Sequence, residues 1–101
     1  MAAYVISIAV VTDPEAWEEY RAIAGPASAL FGARYLARGA LPEIVEATSG
    51  ALDPGTTTTI IEFPDLAAAR AWYSSDAYAP AREISARAAR RRLLFIDGLA
   101  G

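Results

Sequence analysis

Residues 4–15, "YVISIAVVTDPE", are the stretch on which the fold turns. Residues 4–11 are rich in β-branched types and are followed by a turn signal, the pattern of a buried strand. Successive side chains of a strand point to opposite faces. Tyr4, Ile6, Ile8 and Val10 therefore share one side, and Val5, Ser7, Ala9 and Val11 share the other. Both sides are apolar, so this strand belongs inside a sheet that is covered twice. The residues that follow open a helix. Asp13 can cap it, Pro14 suits its first position, and Glu15 lies at the positive end of its dipole.

Downstream, Trp17, Tyr20, Ala24, Ala27 and Phe31 recur at spacings of three and four and form one apolar stripe. Gly25-Pro26 predicts a kink in this helix and Gly32 its end. "ARYLARGA" (33–40) reads as a second strand, with Gly39 marking a bulge or bend. "PEIVEATSGALDPG" (42–55) reads as its continuation into a turn at Asp53-Pro54-Gly55, and "TTTTIIEF" (56–63) as a third strand. Pro64-Asp65 starts a second helix through Tyr73. It breaks at Ser74-Ser75, resumes near Tyr78 ahead of Pro80, and runs to about Arg91. "RLLFIDG" (92–98) is the last strand. The order βαββαβ predicts an α+β, ferredoxin-like protomer in one domain over 1–101, with a four-stranded antiparallel sheet and both helices on one face. The other face is bare and apolar, which predicts a homodimer through it.

Composition narrows the function. A net charge of −3 in 101 residues gives no basic footprint for nucleic acid. With no cysteine there is no disulfide, thiolate nucleophile or Cys-based metal site. The absence of histidine removes Ser-His and Cys-His chemistry and the commonest transition-metal ligand. Lysine is absent too, which excludes a Schiff base. No clustered Asp/Glu motif suggests a metal, and no cofactor is indicated. "MAAYVISIAVV" (1–11) lacks a positive leader and is too short for a membrane span, so the reading is a soluble cytoplasmic protein with no membrane partner.

The segments "AYVISIAVVTDPEAWEEYR" (3–21), "GARYLARG" (32–39), "IEFPDLAAARAWYSSDAYAPARE" (61–83) and "LLFIDG" (93–98) together resemble the domain of unknown function 1330 family, within the dimeric α/β barrel superfamily. The resemblance implies a ferredoxin-like protomer whose sheet packs on that of a second copy to form a barrel. Superfamily relatives include cofactor-free monooxygenases of polyketide tailoring, muconolactone isomerase and haem-binding members, with small-molecule sites between sheet and helices. Haem is disfavoured because its usual histidine ligand is missing. Family members often carry polar residues where this chain has Ile8 and Val10, which makes the inter-sheet space drier here.

Four sets of residues are candidates for chemistry. Ser7, with small neighbours, leaves room beneath helices that Trp72, Tyr73 and Tyr78 either roof as a ligand pocket or simply fill. The break at Ser74-Ser75 is what lets Trp72 and Tyr78 flank one cavity, since a continuous helix would turn them to different faces. Arg34 and Arg38, read as sharing a strand face, either anchor a carboxylate or enolate or pair with Glu62 at a sheet end or dimer seam. Glu62, if desolvated, is a candidate general base. The four arginines of "RAARRR" (87–92) either bind an anion or, the better reading in an acidic protein, offset the dipole at a helix C-terminus; Ser75 reads as a helix cap, and Thr56 to Thr59 as ordinary strand formers on a strand placed at a dimer seam. The function these suggest is a cofactor-independent oxygenase, isomerase or proton-transfer enzyme acting on a small aromatic, polyketide-like or carboxylated metabolite. The alternative is a non-catalytic small-molecule binder or accessory protein.

Overall fold

In the computed structural model, which describes residues 1–99, seven elements follow the expected order: β1 (Ala3–Val11), α1 (Pro14–Ala29), β2 (Arg34–Ala40), β3 (Thr57–Phe63), α2 (Leu66–Ser74), α3 (Ala79–Ala88) and β4 (Ala89–Asp97). The strands form one antiparallel sheet in the order β2-β3-β1-β4. This is the ferredoxin-like arrangement, with its second helix split in two. β1 is central, as its two apolar faces require. Val5 and Ala9 are fully buried against the helices, while Tyr4, Ile6, Ile8 and Val10 line the opposite, half-exposed face. The thinnest dimension is 17 Å, enough for the sheet and one layer of helices.

Local chemistry explains the boundaries. Asp13 Oδ1 accepts from the Ala16 amide and Asp65 Oδ1 from the Ala68 amide, so each of these carboxylates caps its helix. α1 runs through Pro26 without interruption. α2 ends where Ser75 turns extended. There Ser75 Oγ donates to the Trp72 carbonyl and accepts from the Tyr78 amide, which fixes the turn into α3. The core joins Val5, Ile61 and Phe63 of the sheet to Tyr20, Ala24, Ala27, Ala69, Trp72, Tyr78 and Ala81 of the helical layer.

Three expectations are corrected. Residues 42–55 do not extend β2. The ladder with β3 ends at Ala40↔Thr58, and Pro42 has no amide to continue it. α3 stops at Ala88, so Arg90, Arg91 and Arg92 lie in β4 instead of at a helix end. They pair with Val10, Ala9 and Ile8, giving the far end of β1 a hydrogen-bonded neighbour. Arg34 and Arg38 do not share a face either. The register runs Arg34↔Glu62, Tyr35↔Ile61, then Ala37↔Ile60, so β2 spends two residues against one of β3. Such a bulge reverses the alternation beyond it. Gly39, at φ +60°, sits in a second register shift, where its amide donates to Thr59 Oγ1.

Candidate functional site

Between the sheet and α1 lies a cavity of about 70 Å³. Alternation in the strands chooses its floor. β1 supplies Ser7 and Ala9, β3 supplies Thr57, Thr59 and Ile61, and β4 supplies Arg91 and Leu93. The roof is Trp17, Tyr20, Arg21, Ala24 and Gly25 of α1, with Trp72 of α2. Ala24 and Gly25 keep α1 slim at this point, and Ser7 and Ala9 keep the floor low. The gap is the space that larger side chains would fill. The bulge in β2 brings Tyr35 and Arg38 to the rim, with the Arg38 guanidinium 3.9 Å from the Tyr35 ring centroid.

Arg91 organises the inner end. One terminal nitrogen donates to Tyr20 Oη at 2.7 Å; the other donates to Tyr78 Oη at 3.2 Å and to Ser85 Oγ at 3.1 Å. The two phenol oxygens lie 3.0 Å apart. Trp17 stacks on Tyr20 with ring centroids 4.5 Å apart, and the guanidinium lies 4.9 Å from the Tyr20 ring centroid. All of these partners are neutral. Among the described residues, no carboxylate lies within 4.0 Å of Arg91; the ion pairs are Arg21–Glu18, Arg34–Glu62, Arg87–Glu19 and Arg90–Asp53. Burial raises the Tyr20 hydroxyl well above its ordinary value of 10.0, although Arg91 pulls the other way. Burial acts to lower Arg91, but the two phenol oxygens more than offset it and hold the guanidinium above its ordinary value.

The residues singled out from sequence divide sharply. Ser7, Arg38 and Trp72 line the cavity. Tyr78 is fully buried one layer behind it, its ring centroid 4.2 Å from that of Trp72, and it reaches the cavity only through Tyr20 and Arg91. Tyr73 lies outside, packing edge-on against Phe95 and under Arg82, which also donates to the Tyr73 carbonyl. Arg34 and Glu62 form a 2.7 Å ion pair on the opposite face of the sheet. Sequence reasoning set Arg91 aside with its neighbours as helix-end charges, and missed Tyr20, Trp17, Thr57 and Thr59 as site residues. The signal for Arg91 was available: read as a strand, Ala89, Arg91, Leu93 and Phe95 alternate onto the helix side with the inward residues of β1.

A family model described as a domain of unknown function (DUF1330) matches residues 2–99. The chain belongs to this family. No curated protein matches it. Among solved structures it is similar to RPA0582, a protein of unknown function from Rhodopseudomonas palustris, in its methylated form (TM-score 0.72, 20% identity, covering 98% of this chain and 82% of that one). It is also similar to SnoaB, a cofactor-independent oxygenase from Streptomyces nogalater (TM-score 0.66, 12% identity, covering 99% and 95%). A third is a putative antibiotic biosynthesis monooxygenase from Nitrosomonas europaea (TM-score 0.58, 17% identity, covering 96% and 90%). At these identities the likeness establishes the DUF1330 chain's fold. Among the described residues, no group of three His, Cys, Asp or Glu side chains could hold a metal, and no helix is long and apolar enough to cross a membrane.

Proposed function

We propose that this DUF1330 protein is a homodimeric α/β barrel that binds a small metabolite in the cavity between α1 and the sheet and acts on it without a cofactor. The observation that carries this reading is Arg91, a partly buried cation beside the cavity whose partners are all neutral hydroxyls. Oxygenation by dioxygen, isomerisation and proton transfer next to a carbonyl share one requirement: negative charge develops on a substrate oxygen and needs a preorganised donor. Arg91 and Tyr20 supply such donors, and Trp17 and Trp72 supply flat apolar walls for an aromatic, polyketide-like or carboxylated body. Support for the second copy comes from the bare sheet face, where Leu94 and Ile96 stand 43% and 44% exposed opposite Ile6 and Tyr4.

A non-catalytic binder on the same scaffold is the second reading. The observation favouring it is that, among the described residues, the cavity wall contains no carboxylate or imidazole to serve as a base, while the Tyr20 hydroxyl is held protonated. Turnover separates the two. Incubation with aromatic acids, quinols and unsaturated lactones, followed by mass spectrometry and oxygen uptake, should reveal a product that Arg91→Gln no longer forms. Saturable binding without any product across the panel would select the binder.

A further inference from the structure

We infer that the cavity takes its ligand as an anion, already ionised in solution, with the charged oxygen lodged among Arg91, Tyr20 and Trp72; the inference rests on reading this cavity as the ligand site. Hydrogen-bond accounting leads to it. Tyr78 is fully buried, and among the described residues its hydroxyl meets only Tyr20 Oη and Arg91. Arg91 can only donate, so the Tyr78 proton must go to Tyr20. Tyr20 therefore accepts twice, from Tyr78 and from Arg91, and its own proton is left for the cavity that it lines. Trp72 gives a second, independent sign. Its Nε1–H is the one buried side-chain polar atom among the described residues with no partner, although the residue is fully buried and part of the cavity wall. Arg91 uses three of its five N–H groups on Tyr20, Tyr78 and Ser85, leaving Nε–H and one terminal N–H.

The charge balance of the wall agrees with this accounting. In a chain of net charge −3, the cavity is lined by Arg21, Arg38 and Arg91 and by no acidic residue among those described. Glu18 compensates Arg21 at the mouth. Arg38 rests on the Tyr35 ring and Arg91 on phenols, so neither positive charge is neutralised within 4.0 Å. Such a wall stabilises an oxyanion but has no base with which to create one. The ligand class is a small, flat carboxylate, or an enol or phenol acidic enough to be ionised at neutral pH.

Benzoate and its neutral isostere benzamide test this by calorimetric titration of the full chain. Benzoate should bind at least about tenfold more tightly, the effect of one charge-assisted hydrogen bond. Arg91→Gln should abolish the preference of benzoate over benzamide. Arg38 is exposed on an edge strand, so Arg38→Gln keeps the fold intact and should lower benzoate affinity alone, by a few-fold. Equal affinity for the two probes would overturn the anion assignment and leave the cavity as a neutral-ligand site. If neither probe bound at millimolar concentration, the cavity reading would fail and the inference with it.

Discussion

The two faces of the sheet start from similar material and end with different chemistry. Along β1 both are apolar, but toward the helices the strands contribute Ser7, Thr57, Thr59 and Arg91, and toward the other side Ile6, Ile8, Ile60, Leu94 and Ile96. The inner face has helices above it, and its small residues leave a cavity with polar groups at one end. The outer face carries no helix among the described residues and has a nearly continuous aliphatic centre, with Arg90, Arg92 and the Arg34–Glu62 pair toward its margins. Apolar surface without inward-pointing donors fits a second sheet; an enclosed gap with donors fits a small polar-headed molecule. One strand can serve both because its side chains alternate.

The largest effect should come from a charge on the outer face. Ile6 is paired with Ile60 and Leu94 at the centre of that face, and Ile6→Asp would bury a carboxylate between two sheets at a cost of several kcal/mol. Light scattering on a sizing column should find a dimer for the native chain and a monomer for the variant. A native chain that runs as a monomer at micromolar concentration would leave the outer face without its proposed role.

On the inner face the corresponding change is Arg91→Gln, which leaves Tyr20, Tyr78 and Ser85 short of a donor. It should lower stability by about 1–3 kcal/mol in a denaturant titration without changing the oligomeric state. Tyr78→Phe removes one hydroxyl and keeps the ring against Trp72, so its loss should be smaller, about 0.5–1.5 kcal/mol. A Tyr78 variant more damaging than the Arg91 variant would mean that the phenol, not the guanidinium, holds this corner together.

Which parts of this were legible beforehand follows from the range of the interactions involved. Capping by Asp13 and Asp65, the break at Ser75 and the two-sided character of β1 depend on near neighbours in the chain, and the sequence displays them. The bulge at Leu36 depends on how β2 registers against β3, some 25 residues away, so Arg38 was assigned the wrong neighbours while Arg34 met Glu62. Arg91 was hidden by composition. Three consecutive arginines after a helix look like charges for its C-terminus, and only pairing with β1 turns the middle one inward. Tyr20 and Trp17 were visible as a helix stripe, but a stripe does not reveal which of its members face a gap.

A smaller effect comes from alkali. The folded-state pKa of Tyr20 is raised above the ordinary value of 10.0, so the folded chain keeps a proton that the unfolded chain releases. Its contribution to stability is full below pH 10 and is lost as pH rises above that value toward the folded pKa. Thermal melting between neutral pH and about pH 11 should show a decline beginning near the ordinary phenol value, and Tyr20→Phe should flatten it. An equal decline in both proteins would place the sensitivity elsewhere.

The division between the faces is tested most directly by watching both at once in solution. The chain has two tryptophans, and both indoles line the cavity; Ile6, Ile8, Ile60 and Ile96 lie on the outer face. In an NMR titration with benzoate, the indole N–H signals of Trp17 and Trp72 should shift, with Trp72 moving downfield as its unpartnered donor gains an acceptor. The isoleucine methyl signals of the outer face should stay in place. Moving methyls with stationary indoles would put the ligand between the sheets and contradict the assignment of chemistry to the inner face and assembly to the outer.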